Sequence, residues 1–478
     1  MGVIVMMNNP QFVEAGKLDL LSGLSSEIRF VTPSSLAAFG RRARTHSRDQ
    51  ITQIAKSIET FGFSVPLLVD EKNKIIAGNA RLEAAIQLGL AEVPVITISH
   101  LTPEKKRAFV LAENKLATAG GWDRAVLSLE FKELLEIAPD FDLDVTGFVD
   151  PEIDALVLCQ EEPERSPKIL PPTTATSRIG DLWLLDRHRL LCGDSTDKAS
   201  VARLLDGQEA RITFSDLPYN VGIAGNVTSS KDSREFVMAS GEMSDDEFTD
   251  FLNKVFARAC ESLMPGGLAY MCMDFRHMRH MLDAADKNPL KLLNLIVWDK
   301  GLGGMGSFYR SRHELIFLFA HEGATHLNRV QLGKHGRDRS NVWTYRGMHG
   351  SGHEQKRARE LHPTVKPLAL VKDAILDSTK RGDLVLDLFS GSGTTILAAD
   401  DTGRRGAAME LDPIYTDTTI LRWQEHSGKE AVLASSGRTF REVRVERATR
   451  VASAADAQQT SDLTQAAPPA RVRTRRAA

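Results

Sequence analysis

The sequence predicts a doubly wound α/β domain with a parallel sheet, preceded by a smaller α+β domain. The 478 residues are enough for two or three domains at roughly 100–200 residues each. From 178 to about 428, short apolar runs alternate with helical segments, a pattern typical of a parallel sheet covered by helices. Between 27 and 123 a compact run of shorter strands and helices predicts the smaller domain.

The N-terminal domain, 27–123, begins with a clear amphipathic helix. In "DQITQIAKSIETFG", Ile51, Ile54, Ile58 and Phe61 fall on one face, and Gly62 stands where a C-terminal cap belongs. The segments "VPLLVD" and "KIIAG" are predicted strands joined by the polar turn "EKN". The segment "NARLEAAIQLG" predicts a short helix, "VPVITI" a further strand, and "TPEKKRAFVLAENKLA" a second long helix.

Two segments flank the larger domain, 178–428. Residues 124–177 combine a helical stretch with "CQEEPERSPKILPPTTATS", whose charges and prolines predict a linker. Residues 448–478 are rich in Ala, Gln, Ser and Pro, which predicts a disordered tail.

Composition restricts the function classes. The net charge of −3 means that a nucleic-acid surface would have to be a local patch. The four cysteines show no CxxC or Cys/His spacing, which indicates a reduced, cytoplasmic protein without a structural metal. The start "MGVIVMMNNP" lacks the features of a signal peptide, and no apolar run approaches the ~18 residues of a membrane span.

A glycine-rich turn lies in "GDLVLDLFSGSGTTILAADDTG", residues 382–403. Gly391 and Gly393 let the backbone turn sharply after an apolar strand and approach a ligand closely. Many strand-to-helix turns use glycine for packing only. Here the next strand ends at Glu410, where an acid can bind ribose hydroxyls. No Lys follows the glycines, so the pattern favours a nucleoside cofactor over a triphosphate.

The stretch "ITFSDLPYNVG", residues 212–222, ends a strand in an acid, a proline and an aromatic ring. Asp and Pro are common in turns, so an ordinary turn is one interpretation. In the functional interpretation, Pro218 holds Leu217 extended, and the Leu217 carbonyl and the Asp216 carboxylate hold both hydrogens of an amine. Tyr219 offers a face for stacking. An amine held in this way can attack a methyl group, and a base in a duplex would first have to flip out.

These two motifs resemble those of the amino-group DNA methyltransferases, in which a D/N/S-P-P-Y/F/W motif holds the target base. An F-x-G-x-G motif binds S-adenosyl-L-methionine, and the order seen here resembles the permuted β class. The resemblance covers about 178–428 and includes "GDLWLLDRHRLLCGDST", "YRSRHELI" and "HPTVKP". It implies a Rossmann-like methyltransferase sheet and S-adenosyl-L-methionine as the cofactor, with no metal.

The resemblance also implies roles for particular residues. Asp216, Leu217, Pro218 and Tyr219 correspond to the catalytic motif, although Leu217 stands where the family usually has Pro. The residues implied in cofactor binding are Asp194, Lys366, Pro367, Asp387, Phe389, Ser390, Gly391, Gly393 and Glu410. Among these, Asp194 corresponds to the adenine contact, Glu410 to the ribose contact, and Lys366 and Pro367 to the methionine end.

The segment 325–360 stands at the family's target-recognition position. It is rich in Arg, Lys and His with aromatic residues between them, so it is either a solvated surface or a surface for phosphate contact and stacking. The second interpretation makes double-stranded DNA the partner. Its candidate DNA-binding residues are Arg337, Arg339, Trp343, Tyr345 and Arg346.

The N-terminal domain resembles that of the ParB family over about 28–120. In "IAGNARLEAA", Gly78 permits a tight turn, and Arg81 at a helix start is placed to contact phosphate. The resemblance implies a nucleotide or a protein partner for this domain, or a role in positioning DNA. A homodimer is left open.

The sequence therefore predicts a site-specific DNA methyltransferase that acts on an exocyclic amine, with adenine N6 as first choice and cytosine N4 as alternative. Two rival hypotheses stand beside it. One is an RNA or protein methyltransferase on the same fold. The other is a ParB-like DNA-binding adaptor whose methylase half is inactive because of Leu217.

Overall fold

The computed structural model describes residues 27–40, 44–138, 141–158, 169, 171–221, 241–301, 308–330, 339–345 and 366–450. Arg337, Arg346 and the part of the predicted tail beyond 450 lie outside these residues. The chain divides into two compact units, Met1–Val157 and Leu158–Ala478. None of the described helices is both long and apolar enough to cross a membrane.

The N-terminal unit is a mixed sheet with helices. Its described strands are β1 (Arg29–Val31), β2 (Ala37–Ala38), β3 (Leu67–Val69), β4 (Lys74–Ala77) and β5 (Val93–Thr97), in the order β1-β5-β3-β4-β2. Strand β3 is antiparallel to β4 and parallel to β5, so the unit is α+β. Its described α-helices are α1 (Arg48–Phe61), α2 (Asn79–Gln87), α3 (Pro103–Leu116), α4 (Arg124–Ile137) and α5 (Asp150–Leu158).

Helix α1 shows how the sequence produces these elements. The Ser47 side chain accepts a hydrogen bond from the Gln50 backbone N–H at 3.1 Å, which caps the first turn. Gly62 ends the helix with a φ of 75°, a value at which glycine is favoured. The buried face of α1, Ile51 and Ala55, packs against small residues of α2, as the helical spacing of the apolar residues predicts.

The second unit contains a large sheet. Its described strands are β6 (Leu182–Leu185), β7 (His188–Cys192), β8 (Ala210–Asp216), β9 (Leu263–Met273), β10 (Leu290–Asp299), β11 (His313–His321), β12 (Val342–Thr344), β13 (Leu384–Asp387), β14 (Arg405–Glu410), β15 (Val432–Leu433) and β16 (Arg438–Thr439). They follow the order β12-β10-β11-β9-β8-β13-β14-β7-β6-β15-β16. Strands β7, β14, β13, β8 and β9 are parallel, and β11 is antiparallel to both β9 and β10.

Helices cover both faces of this sheet. Those described are α6 (Lys198–Leu205), α7 (Asp245–Ser262), α8 (Met278–Ala285), α9 (Leu368–Ser378), α10 (Thr394–Asp401) and α11 (Pro413–Ser427). One apolar cluster joins the sheet to α6, α7 and α8, and a second joins the opposite face to α9, α10 and α11. The parallel strands are buried on both faces, as expected of a doubly wound α/β sheet.

The topology of the sheet fixes the position of a ligand site. The chain leaves β13 through α10 toward β14 on one side, and leaves β8 through α7 toward β9 on the other. Strands β13 and β8 are parallel neighbours, so their carboxyl ends meet where the winding direction reverses. Ligands of open α/β sheets bind at such a point.

The second unit extends beyond the boundary near 428 that the sequence predicts. Strand β15 pairs with β6, and residues 440–450 are helical, so ordered chain passes the predicted start of the tail at 448. Phe440 is buried with its ring centroid 5.3 Å from that of Trp183, and Val443 is buried beside it. These residues complete the core under β6.

Candidate active site

The acid–proline–aromatic turn follows the end of the central strand β8. The Leu217 side chain is buried in the core beneath α7, so the residue that departs from the family pattern packs as a hydrophobic anchor. Tyr219 is part-buried, and its hydroxyl lies 3.1 Å from Asp216 Oδ1, to which it donates. Asn220 has a φ of 51° and holds the chain beyond the turn through a 2.7 Å bond to the Met243 carbonyl.

Lys366 brings a cation to this turn. Its ammonium lies 2.6 Å from Asp216 Oδ2 and 3.1 Å from Glu314 Oε2, and its side chain is only 5% exposed. The resemblance predicts Lys366 at the methionine end of the cofactor, whereas its observed partners are two carboxylates beside the catalytic turn. Pro367, which follows it, is the N-cap of α9 and is buried.

Glu314 is a member of the site that the sequence analysis missed. It lies near the start of β11 and contacts Lys366, the Tyr219 hydroxyl at 3.3 Å, and the ammonium of Lys300. Lys300 Nζ also lies 4.9 Å from the centroid of the buried Trp298 ring. The sequence did offer a signal. Glu314 directly precedes the apolar run "LIFLF", where a charged residue has no evident structural reason.

Burial dominates the electrostatics of this cluster. It raises the pKa of Asp216, as does the neighbouring Glu314, against the opposing effect of Lys366. Burial would also raise the pKa of Glu314, but the ammonium groups of Lys366 and Lys300 outweigh it and lower that pKa to about 2. Burial and the two carboxylates raise the pKa of Tyr219 well above its ordinary value. Glu314 is therefore expected to be ionised at neutral pH, and the Tyr219 hydroxyl to keep its proton as a hydrogen-bond donor.

The glycine-rich turn follows β13, next to β8. Gly391 and Gly393 have φ values of 54° and 83°. A Cβ atom on Gly393 would lie 2.5 Å from Thr419 Cγ2, so no larger residue fits there without displacement. The Gly391 backbone N–H donates to Glu410 Oε2 at 2.8 Å, which joins the turn to the end of β14. The turn and Glu410, predicted separately to contact a cofactor, are thus in direct contact.

Two further acids stand at neighbouring strand ends. Asp387 accepts hydrogen bonds from the Phe389 backbone N–H at 3.0 Å and from Thr395 Oγ1 at 2.6 Å. Asp194 follows β7. The backbone N–H of Gly193, which lies between them, donates to the backbone carbonyl of Glu410 at 2.9 Å. Burial raises the pKa of Asp387 to about 7 and that of Glu410 to about 8.

A nucleoside cofactor fits this group of residues. Ser390 Oγ is buried without a hydrogen-bond partner among the described residues, so it has capacity for a ligand contact. Acids at the ends of β7, β13 and β14 surround a turn in which glycine leaves the backbone accessible. Among the predicted cofactor residues, Lys366 forms an ion pair with Asp216 of the catalytic turn.

The described residues of the predicted recognition segment have partners inside the unit. Arg339 lies over the Trp343 ring with its guanidinium carbon 4.6 Å from the centroid, and it forms an ion pair with Asp373 at 2.6 Å. Trp343 is 6% exposed, and the Tyr345 hydroxyl accepts from Arg339 at 2.9 Å. These contacts fasten β12 to α9. Arg337 and Arg346 lie outside the described residues.

The predicted phosphate contact in the N-terminal unit lies next to a cavity. Gly78 caps α2 with a φ of 101°, and the Arg81 guanidinium donates to the Val65 carbonyl at 2.8 Å. A cavity of about 310 Å³ opens beside Gly78, and Arg81 does not line it. The polar side chains that line it belong to Arg44, His46, Asn79, Asn114, Lys115 and Thr118.

The order of the sheet, the acidic turn after β8 and the glycine turn after β13 together define a Rossmann-like methyltransferase domain. The model of the DNA methylase family matches residues 210–421. A type II methyltransferase of Streptococcus pneumoniae, M2.DpnII, is 30% identical over 218 residues, which is 42% of this chain and 78% of the relative. The DNA adenine methyltransferase YhdJ of Escherichia coli is 25% identical over 251 residues, 47% of this chain and 80% of the relative.

The N-terminal part has relatives of a different kind. The ParB N-terminal domain model matches 21–115, and a model described as a ParB-methyltransferase HTH domain matches 125–178. The ParB-like nuclease domain-containing protein YnaK of E. coli is 47% identical over 72 residues, 15% of this chain and 83% of the relative. The chain belongs to the N6 and N4 DNA methylase family and carries a ParB N-terminal domain in front of its methylase domain.

Proposed function

We propose that this chain is a site-specific DNA methyltransferase that transfers a methyl group to the exocyclic amine of a flipped base. Adenine N6 is the first choice, supported by the likeness to a DNA adenine methyltransferase, and cytosine N4 is the alternative within the family. One observation carries the proposal. The acceptor Asp216 and the glycine turn follow neighbouring central strands, where an amine and a cofactor would meet.

The cofactor is S-adenosyl-L-methionine, which when bound supplies a methyl group already activated on a sulfonium. Glu410 would accept hydrogen bonds from its ribose hydroxyls, and Asp194 would contact its adenine. Gly391 and Gly393 would let the backbone pass close to it, and Ser390 would use its unpartnered hydroxyl. Asp387, Phe389 and Pro367 complete the set proposed for the methionine end, whereas Lys366 pairs with Asp216 and Glu314.

The catalytic turn would act by positioning and by accepting hydrogen bonds. Asp216 and the Leu217 carbonyl would hold the two amine hydrogens, and Tyr219 would stack on the base. Methyl transfer would form a bond from the amine nitrogen to the methyl carbon and break the bond from that carbon to the sulfonium sulfur, which would leave as a neutral thioether. One amine proton must then leave. Asp216 is suited to take it because burial raises the pKa of its carboxyl.

The test is methyl transfer from labelled S-adenosyl-L-methionine to mixed-sequence duplex DNA, followed by mass spectrometry of the nucleosides. We expect N6-methyladenine from the wild type and a loss of at least about 100-fold in Asp216→Ala, with cofactor binding retained. Asp283→Ala is the matched control, because Asp283 is an exposed acid on α8 that forms a surface ion pair with Arg279 at 3.7 Å.

Two other results would change the conclusion. N4-methylcytosine would keep the enzyme class and select the alternative base. Bound cofactor and bound DNA without methyl transfer by the wild type would favour the adaptor hypothesis, and methylation of RNA or protein in preference to DNA would favour the other rival.

We further propose that the cavity of the N-terminal unit binds a phosphate-bearing ligand, with a nucleoside triphosphate as the probe. The cations Arg44 and Lys115 line it together with the imidazole of His46, and the N-terminus of α2 follows Gly78 at its wall. Backbone N–H groups at a helix start favour anions. Thermal unfolding in the presence of the nucleotide tests this.

A further inference from the structure

The carboxylate of Asp216 is engaged at both oxygens by groups of the protein itself. The Lys366 ammonium lies 2.6 Å from Oδ2, and the Tyr219 hydroxyl donates to Oδ1 at 3.1 Å. A target amine needs the negative charge of this carboxylate, since its nitrogen becomes more nucleophilic as its hydrogens are drawn toward an anion. An ammonium in direct contact with the carboxylate withdraws that charge.

Glu314 offers both of these donors a second acceptor. Its Oε2 lies 3.1 Å from Lys366 Nζ and 3.3 Å from the Tyr219 hydroxyl, while its other oxygen is held by Lys300. If the Lys366 ammonium moved by a few tenths of an ångström, Glu314 would replace Asp216 as its nearer carboxylate. Because Tyr219 has one proton, it can donate to Asp216 or to Glu314, but not to both at once.

The surroundings allow the ammonium to move without leaving its counter-charges. Lys366 Nζ lies 5.8 Å from the centroid of the Tyr219 ring and 5.6 Å from that of Trp298, so aromatic faces flank it. Two ammonium groups and two carboxylates make the cluster neutral. Lys300 keeps Glu314 in place, so that Glu314 is a fixed acceptor for a movable cation.

We propose that Glu314 is a positioning residue that draws Lys366 and the Tyr219 hydroxyl away from Asp216 when the target amine binds. This inference rests on the proposed methyl transfer and deepens it. Asp216 then regains its full charge at the amine, while Lys366 remains paired with Glu314. The ring of Tyr219 is held by a hydrogen bond to Glu314 and stays available to the base.

The kinetic test compares Glu314→Gln in two backgrounds. In the wild-type background we expect kcat to fall by about 100-fold, the scale of a misplaced reacting group, with KM for DNA and for S-adenosyl-L-methionine within about twofold. In the Lys366→Met background the same substitution should have little further effect, since the cation that Glu314 draws away is absent. Glu314→Asp, which keeps the charge on a shorter side chain, should retain intermediate activity.

Three results would overturn the inference. They are an equal loss of kcat in both backgrounds, a loss expressed in KM alone, and a Glu314→Asp variant no more active than Glu314→Gln. Cofactor binding by calorimetry and the midpoint of thermal unfolding check that each variant is folded.

A second measurement does not depend on activity. In a crystal structure of Asp216→Asn, whose residue 216 has no charge, we expect Lys366 Nζ to lie within hydrogen-bond distance of Glu314 and to have left residue 216. An ammonium that stays on residue 216 would refute Glu314 as the receiving group. If the wild type transfers no methyl group to DNA, the proposed function fails, and this structure still decides whether Glu314 receives the ammonium.

Discussion

Glu410, a part-buried acid at the end of β14, joins the glycine turn to the start of α11. Its two oxygens accept backbone N–H groups of Gly391 and Asp412, each at 2.8 Å. Burial nevertheless raises the pKa of Glu410 to about 8. A ligand that donates hydroxyl hydrogen bonds to this group favours its ionised form and lowers the pKa.

The affinity for S-adenosyl-L-methionine should therefore depend on pH. Below the free-protein pKa of about 8 for Glu410, binding must release a proton, so affinity should rise by up to about tenfold per pH unit and level off above pH 8. Calorimetric titration between pH 6 and 9, in buffers of different ionisation enthalpy, measures both the affinity and the proton release. Glu410→Gln should bind more weakly and without this inflection, and an unchanged inflection in that variant would contradict the assignment.

At the scale of residues, the sequence suggested candidates for the site by their chemistry but not the contacts between them. Asp216, Gly391 and Glu410 could be chosen because an acid or a glycine after a strand limits what the chain can do there. Glu314 gave only a weak signal, an acid directly before an apolar run, because its partner Lys366 is distant in sequence and meets it only in the folded chain. The ion pair of Lys366 with Asp216 was not predicted, for the same reason.

The strand–turn–helix element formed by β13, the glycine turn and α10 depends on its backbone conformation. Gly393 has a φ of 83°, and Thr419 of α11 fills the space where a Cβ atom would stand. Gly382, which precedes β13, has a φ of 76° but nothing within 4 Å of its Cβ position. A substitution at Gly382 would therefore add backbone strain alone, whereas one at Gly393 would add both strain and steric overlap with Thr419.

Gly382→Ala should lower the free energy of unfolding by about 1–2 kcal/mol, the cost of a left-handed residue with a side chain. Gly393→Ala should cost more than this, since a 2.5 Å approach to Thr419 adds to the same strain, and it should weaken cofactor binding. Urea unfolding of both variants and calorimetry with the cofactor provide the comparison. Equal stability losses would show that the contact with Thr419 relaxes freely.

Elements with a regular spacing of apolar residues were predictable from the sequence. Elements that depend on contacts between residues distant in sequence were not. Helix α1 follows from its apolar spacing and its Ser47 cap. Strands β15 and β16 are two residues each and depend on pairing, since β15 pairs with β6 and β16 pairs with β15, so the ordered chain continues past the predicted domain end near 428. Trp343, predicted at a DNA surface, is instead buried against Arg339, which the polar composition of its segment could not reveal.

On the scale of the whole molecule, two units carry separate cores. Leu67, Ile75 and Val95 belong to the core of the N-terminal sheet, while the methylase sheet has an apolar cluster on each face. The alternation of apolar runs and helices predicted the α/β class of the second unit, and the compact run of shorter strands and helices predicted the α+β class of the first. The order of the strands was not, because only tertiary pairing places β13 beside β8.

Thermal unfolding followed by calorimetry should accordingly show two transitions. A nucleoside triphosphate should raise the midpoint of the N-terminal unit, and S-adenosyl-L-methionine that of the methylase unit. Each ligand at about 100 times its Kd contributes about 2.7 kcal/mol. Lys115→Ala should abolish the first shift and leave the second. A single transition, or a nucleotide shift that persists in Lys115→Ala, would contradict separate sites.

The parallel pairing of β8 with β13 has a consequence for how the protein is made. Val385 pairs with Ile212, so the middle of the sheet joins segments that the ribosome produces far apart in time. At about 5–20 residues per second, β8 waits on the order of ten seconds or more for β13. During that wait a nascent chain exposes the edge of an apolar strand, the condition that invites pairing with other chains. The arrangement that places the turn after β8 beside the glycine turn after β13 should therefore make the yield of folded protein sensitive to translation speed and to chaperones.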